Sequence, residues 1–307
     1  MKIVSFAILF LGILSSTYSQ QIDSVKYEYG HLYYRTYGKG EIIVILSGGP
    51  GSNALQEESV ALKLSENYKV ILLEQRGTGL SIPTKFDSTT ITLKAAISDI
   101  NLLLKHLNIS KTILLGHSWG GSLAMIYASQ FPQKVKSLIL IAPGYFGMGW
   151  PMYRLCVDNS MSRLGKQEKE RLLELFSKQD SGNISVDENN EVRKLIRLPY
   201  LFDKSKYDSL MPIVWRGINE KTFQLMLYNV MEYDFSLNNE LQKIKSPIHL
   251  ICGRQDFFNY VAYELKIARP NINLYWIEKS GHFPMYEQPE TFYPVINQII
   301  KKSKNYR

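Results

Sequence analysis

The sequence is poor in cysteine and histidine, with 2 and 5 of them among 307 residues. Two cysteines, Cys156 and Cys252, cannot build a disulfide framework, and they match no metal-ligand spacing. Export would permit one bridge between them, but Cys252 lies in an apolar, strand-like run and reads as a buried thiol. The chain also lacks internal repeats and low-complexity tracts. Its one glycine-rich run, Ser47-Gly48-Gly49-Pro50-Gly51, has no following Lys-Ser/Thr pair, which argues against a phosphate loop. No metal and no cofactor is therefore expected. No second long apolar stretch follows the N-terminal one, so no stable membrane span is expected in the mature chain.

What is present is ordinary for a folded protein: 45% hydrophobic and 21% charged residues. The formal charge is +8. Its lysines and arginines are scattered, the densest cluster being Lys301-Lys302-Ser303-Lys304, and no nucleic-acid partner is expected from that pattern. At the N-terminus Lys2 precedes an apolar run, Ile3 to Leu14, and then the small or polar residues Ser15 to Gln20. This reads as a secretory signal peptide, residues 1–19, cleaved after Ser19. The mature protein is accordingly expected to be exported, periplasmic or secreted.

Short, continuously apolar runs follow: Ile42–Leu46, Val70–Leu73, Thr112–Leu115, Leu138–Ile141, Ile248–Cys252 and Leu274–Ile277. Such runs suit strands buried on both faces of a parallel sheet. Helical periodicity separates them, as in Leu93, Ile97, Ile100, Leu104 and Leu107, and again in Phe292, Val295, Ile296, Ile299 and Ile300. Alternation of strands and helices predicts an α/β, doubly wound, mostly parallel sheet. Val25–Tyr29 and Leu32–Tyr37, joined at Gly30-His31, predict an antiparallel hairpin at its edge. The alternation stops between residues 145 and 240, where helical patterns replace strand runs. That predicts a helical lid inserted between two parts of one core, residues 20–144 and 241–307.

Gly116-His117-Ser118-Trp119-Gly120 sits between a strand run and a helical run. This is the G-x-S-x-G nucleophile elbow in its proper context, and it makes Ser118 the candidate nucleophile. A serine hydroxyl needs a base. His31 lies in the edge hairpin, His106 in a helix, His249 in a strand, and His117 beside Ser118 with its side chain directed away. His282, in the loop after the last strand run, remains. The third member must be a carboxylate between them in chain order. Asp256 follows the strand Ile248–Cys252 and would fix the imidazole tautomer. Glu278, four residues before His282, is the poorer rival. Backbone N–H groups of Gly49 and Trp119 are the expected oxyanion donors.

Four segments together carry a resemblance. Ser47-Gly48-Gly49-Pro50-Gly51, Glu74-Gln75-Arg76-Gly77-Thr78-Gly79-Leu80-Ser81, Gly116-His117-Ser118-Trp119-Gly120-Gly121 and Ser280-Gly281-His282 resemble the proline iminopeptidase branch of the α/β hydrolases. The resemblance implies the α/β-hydrolase fold and metal-free release of an N-terminal residue, often proline, from short peptides. Ser47 and Glu74 stand where that pattern usually has His and Asp, and Trp215-Arg216 where its lid often has Trp-Glu. An aminopeptidase must hold a substrate ammonium, which calls for a carboxylate. The family places such acids in the lid, and here Glu232, with Asp234 in reserve, is the candidate. An esterase, lipase or amidase acting on a small acyl substrate is equally compatible with the three candidate catalytic residues. A binding protein that has lost turnover is a third reading.

Overall fold

The computed structural model of the protein describes residues 21–144, 149–233 and 237–303. The expected signal peptide lies outside the described residues. In chain order the first elements are β1 (Gln21–Tyr27), β2 (Gly30–Tyr37), β3 (Ile42–Leu46), α1 (Glu58–Ser65), β4 (Lys69–Leu73) and α2 (Leu93–His106). Next come β5 (Thr112–His117), α3 (Trp119–Gln130) and β6 (Val135–Ile141). Six helices follow: α4 (Gly149–Ser162), α5 (Lys166–Asp180), α6 (Val186–Arg197), α7 (Tyr207–Val214), α8 (Glu220–Met231) and α9 (Leu237–Lys243). The chain closes with β7 (Ile248–Gly253), α10 (Asn259–Ala268), β8 (Asn273–Ile277), α11 (Pro284–Glu287) and α12 (Pro289–Ser303).

Eight strands form one sheet in the order β1-β2-β4-β3-β5-β6-β7-β8. The two pairings at the β1 end are antiparallel and all others parallel. This is the mostly parallel, doubly wound sheet expected from the sequence. The apolar runs are continuous because both faces are covered. On β3, Val44 and Leu46 join the core beneath α2, α3 and α10, while Ile43 and Ile45 join the core beneath α1 and α12. Strand side chains alternate between faces, so a sheet clad in helices on both sides needs apolar residues at every position.

Two details differ from the sequence expectation. The hairpin turns at Glu28-Tyr29 rather than Gly30-His31, with Tyr27 paired to Gly30. Gly30 adopts φ 141° and opens β2, so the glycine marks the strand's first residue instead of the turn's centre. Apart from β3, the strands β4 to β8 also run one to three residues past the apolar runs. β6 begins at Val135 because Val135 and Ser137 pair with β5 although Lys136 and Ser137 interrupt the apolar pattern.

Between β6 and β7 the described residues hold helices and no strand. α5 and α6 pack on each other through a small core of their own, Leu172, Leu175, Val192 and Leu195. α6 is capped by a reciprocal box in which Ser185 and Glu188 satisfy each other's backbone N–H. α8, in contrast, feeds Met226, Leu227 and Val230 into the main core, and α9 packs on α3. Residue 240, the expected end of the insertion, falls within α9. No described helix is long and apolar enough to cross a membrane. Cys156 is half-buried and Cys252 buried, both as free thiols.

Candidate active site

Ser118 sits at the junction of β5 and α3 with φ 51° and ψ −118°. A non-glycine residue in that region costs on the order of 1–3 kcal/mol, so the surroundings must hold it. They do so from both sides. The Ser118 N–H donates to Ile141 O at 2.9 Å, and its carbonyl accepts from Gly121, Ser122 and Gly144 N–H at 2.9, 3.2 and 3.0 Å. The flanking glycines make the turn possible: a Cβ on Gly116 would lie 2.1 Å from Gly120 O, and one on Gly120 2.2 Å from Leu46 O. The turn lifts Ser118 to partial exposure, while His117 and Trp119 on either side are buried.

Asp256 and His282 meet at the carboxyl ends of β7 and β8. His282 Nδ1 lies 2.8 Å from Asp256 Oδ2, both residues 1% exposed. The other carboxylate oxygen accepts the Phe258 N–H at 3.0 Å, which fixes its plane. Nδ1 therefore carries a proton, which leaves Nε2 of a neutral ring as an acceptor. His282 Nε2 is buried without a hydrogen-bond partner among the described residues. Aromatic rings wall it in: Phe258 at 5.0 Å, Tyr200 at 5.2 Å and Phe283 at 5.3 Å. Glu278 instead pairs with Arg254 at 3.0 Å and is mostly exposed.

The His282 loop is held by groups that sequence reasoning did not single out. Glu287 accepts the Gly281 and Phe202 N–H groups at 2.7 and 2.8 Å. Burial nevertheless pushes its carboxyl above the usual range, against the pull of these N–H donors. Arg163, just past α4, donates to the carbonyls of Gln255 and Asp256, and Asn159 donates to that of Phe257. Asn159 on the last turn of α4 and Arg163 just after the helix both grip the loop that carries Asp256. Cys156 on the same helix has its thiol pushed up to about 12, chiefly by burial and secondarily by the Asp256 charge.

The glycine-rich loop after β3 passes close over Ser118: a Cβ built on Gly48 would lie 3.4 Å from Ser118 Cβ. The Gly48 N–H is already engaged by Gln56 Oε1 at 2.9 Å. Gly49, with φ 118°, is the partly exposed residue of the pair. Gln75 ties this loop to the elbow. Its amide nitrogen donates to Ser47 O at 2.8 Å and Ser47 Oγ at 3.1 Å, and its oxygen accepts the Trp119 indole N–H at 2.8 Å. Ser47 is thus small enough to share one amide with its own backbone. Glu74 reaches Arg35 at 2.5 Å in a buried pair, and Arg76 grips Asp99 through two bonds of 2.9 and 2.5 Å. The signal for Gln75 lay in the quoted Glu74–Ser81 motif; only its role was missed.

The lid acids stand apart from this cluster. Glu232 is exposed and caps the C-terminal end of α8. Asp234 lies outside the described residues. Arg216 is exposed, and its neighbour Trp215 is stacked by the Arg197 guanidinium, 4.6 Å above its ring. Among the described residues no group of three or more His, Cys, Asp or Glu side chains could hold a metal ion.

Known proteins resemble this chain along most of its length. The chain is 27% identical over 275 residues to the proline iminopeptidase of Heyndrickxia coagulans, covering 86% of this chain and 91% of that one. Among solved structures, the proline iminopeptidase of Mycobacterium smegmatis superposes with a TM-score of 0.70 at 18% identity, over 92% of this chain and 98% of that one. A thermophilic esterase from Thermogutta terrifontis superposes with a TM-score of 0.65 at 17% identity, over 93% and 99%. Both superpositions are likenesses of fold. A family model described as alpha/beta hydrolase fold matches residues 41–289, and the chain belongs to that family.

Proposed function

We propose that the protein is a serine hydrolase that releases an N-terminal residue, often proline, from short peptides through an acyl-enzyme. The observation that carries the reading is the His282–Asp256 hydrogen bond of 2.8 Å, with His282 Nε2 left unpartnered in the same buried cleft. Ser118 Oγ attacks the substrate carbonyl carbon while His282 Nε2 takes its proton. Asp256 stabilises the imidazolium that forms. The backbone N–H groups of Gly49 and Trp119 receive the negative charge on the former carbonyl oxygen; Trp119 opens α3, where first-turn N–H groups point beyond the helix end. His282 then returns the proton to the leaving amine, and a water repeats the sequence on the acyl-enzyme. The sequence likeness to proline iminopeptidases supports the peptide substrate, and Glu232 is our candidate for the ammonium site. Met1 to Ser19 supports export; mature protein retaining Lys2 by mass spectrometry would exclude it.

Three features favour a second reading. Glu232 is exposed, Arg216 stands where the family resemblance implies a lid acid, and His282 is walled by aromatic rings. That setting suits a neutral acyl group, as in an esterase or amidase. A fluorogenic panel separates the two: free and N-blocked aminoacyl amides beside short and long acyl esters, each with the unmodified protein and with Ser118→Ala. Peptidase action requires free-amine amides to be cleaved far faster than blocked ones. Ser118→Ala should lower every rate by several orders of magnitude; full retention of any of them would move the chemistry away from Ser118.

A further inference from the structure

Beside the His282–Asp256 pair lies a second histidine–carboxylate pair to which the catalytic scheme gives no task. His117 Nδ1 is 2.8 Å from Glu57 Oε1, and His117 Nε2 is 3.0 Å from the carbonyl oxygen of His282. Neither residue is exposed at all. The His117 and His282 rings are 5.1 Å apart. Glu57 ends the short 3-10 turn Ala54–Glu57 that follows the glycine-rich loop, His117 ends β5 immediately before Ser118, and His282 belongs to the loop after β8. Three segments remote in sequence therefore converge on one imidazole.

Both partners of His117 are acceptors. A backbone carbonyl can only accept, so Nε2 carries a hydrogen, and an ionised Glu57 requires one on Nδ1 as well. Burial, the largest single influence, opposes that charged ring, but the Glu57 carboxylate, the His282 carbonyl and the Asp256 charge together hold the His117 pKa above its ordinary value. A buried charged or strongly polar group without a partner costs too much to persist, so this arrangement is held tightly once formed. Its consequence falls on His282. The His282 N–H donates to Tyr200 O at 2.7 Å, its carbonyl accepts from His117, and its Nδ1–H is taken by Asp256. Main chain and ring are fixed at every polar atom except Nε2, the one that must face Ser118.

We propose that His117 and Glu57 are a positioning pair for the general base: they clamp the His282 main chain and so set where Nε2, which makes no hydrogen bond among the described residues, stands for the Ser118 proton. The proposal rests on the assignment of Ser118 and His282 made above. It is tested with a fluorophosphonate, whose reaction forms the Ser118 Oγ–P bond, expels fluoride and passes the hydroxyl proton to His282 Nε2. Labelled peptide mapping and the second-order labelling rate are read for the unmodified protein and for His117→Leu, His117→Gln and Glu57→Gln, alongside the melting temperature of each.

His117→Leu removes the donor to the His282 carbonyl and should slow labelling by about tenfold to a hundredfold. His117→Gln sets an amide N–H near the position of Nε2 and should recover most of that loss. Glu57→Gln keeps the volume and a hydrogen bond but no longer compels a proton on both ring nitrogens; its rate should fall between the unmodified protein and His117→Leu. If His117→Leu fails to fold, the other two variants carry the test. Labelling of His117→Leu or Glu57→Gln at the unmodified rate overturns the proposal. So does a His117→Gln rate as low as that of His117→Leu, since the ring rather than its hydrogen bond would then matter. A different failure, no labelling of Ser118 in the unmodified protein, would remove the catalytic assignment itself.

Discussion

Tyr200, on the helical insertion, accepts the backbone N–H of His282 at 2.7 Å. The insertion is therefore part of the site's framework as well as a cover for it. Other bonds repeat the pattern at each loop of the site. Gln56 Nε2 donates to Val214 O at 2.6 Å, Asn219 N–H to Gly51 O at 2.8 Å, and Thr222 Oγ1 to Gly77 O at 2.6 Å. Asn229 accepts the Leu93 N–H at 2.8 Å and so caps the start of α2 from the lid. A lid stitched to every loop in this way cannot swing free as one body without leaving buried backbone groups unpaired, each at about 1–3 kcal/mol. Helices α5 and α6, in contrast, share a core of their own.

Gln75→Leu should reveal the link between the glycine-rich loop and the elbow. The substitution leaves Ser47 O and the Trp119 indole N–H without the buried partner that each now has. Expected is a loss of about 1–3 kcal/mol of stability, with kcat on an ester probe falling more than KM rises. Urea denaturation and steady-state kinetics check the two effects. An unchanged kcat would mean that the loop keeps its place without Gln75.

Arg163→Ala should loosen the Asp256 loop from the lid. Its guanidinium binds the carbonyls of Gln255 and Asp256 and touches no part of the Ser118 turn that the structure records. The expected outcome is a fall in kcat/KM of about tenfold, deepened when Asn159→Ala is added, since both side chains hold the same loop. Equal rates in the unmodified and doubly substituted proteins would assign these bonds to lid stability alone.

How much of this could be read from the chain follows from what kind of interaction sets each feature. Strands buried on both faces announce themselves, because Ile42–Leu46 and Ile248–Cys252 leave no other account of an unbroken apolar run. The elbow was legible because backbone geometry demands Gly116 and Gly120 whatever the rest of the sequence does. The supporting polar groups were not. Gln56, Glu57, Arg163 and Glu287 look like solvated surface residues until the fold brings a carbonyl or an N–H to each of them. His117 shows the difference most clearly. Its partners, Glu57 and the His282 carbonyl, lie 60 and 165 residues away, beyond any local pattern.

His249 gives the fold a pH-dependent stability. It is 1% exposed on β7, and neither ring nitrogen has a hydrogen-bond partner among the described residues. Burial first, and the Lys302 charge second, lower its pKa from 6.5 to about 4. Between those two values the unfolded chain binds the proton and the folded one does not, so stability rises with pH across that window. As pH falls from about 6.5 to about 4 the protein should lose up to about 3 kcal/mol from this residue. Urea midpoints at pH 7 and pH 5 should differ less in His249→Phe than in the unmodified protein. An equal difference in both would assign the acid sensitivity to other groups.

The last prediction concerns the substrate. A free N-terminal ammonium approaching His282, which Phe258, Tyr200 and Phe283 wall in, loses hydration and needs a carboxylate in return. The carboxylates around the elbow are already committed: Glu57 to His117, Glu74 to Arg35, Asp99 to Arg76, Asp256 to His282 and Glu287 to two backbone N–H groups. Diverting Glu57, Glu74, Asp99 or Asp256 would break a buried pair, a cost of about 3–5 kcal/mol. Glu232 is exposed at the end of α8, which packs against α4 across the aromatic contact of Trp150 with Tyr228, and it is free of such a commitment to the core. On the proposed aminopeptidase reading, Glu232→Gln should reduce cleavage of free-amine prolyl amides sharply while leaving hydrolysis of a small neutral ester intact, because Ser118, Asp256 and His282 are untouched. Measured kcat/KM values for both substrates, in both proteins, make the comparison. Equal loss on the two substrates would make Glu232 a structural residue. No loss on either, together with equal cleavage of free and N-blocked amides by the unmodified protein, would leave the neutral-acyl esterase or amidase as the reading that stands.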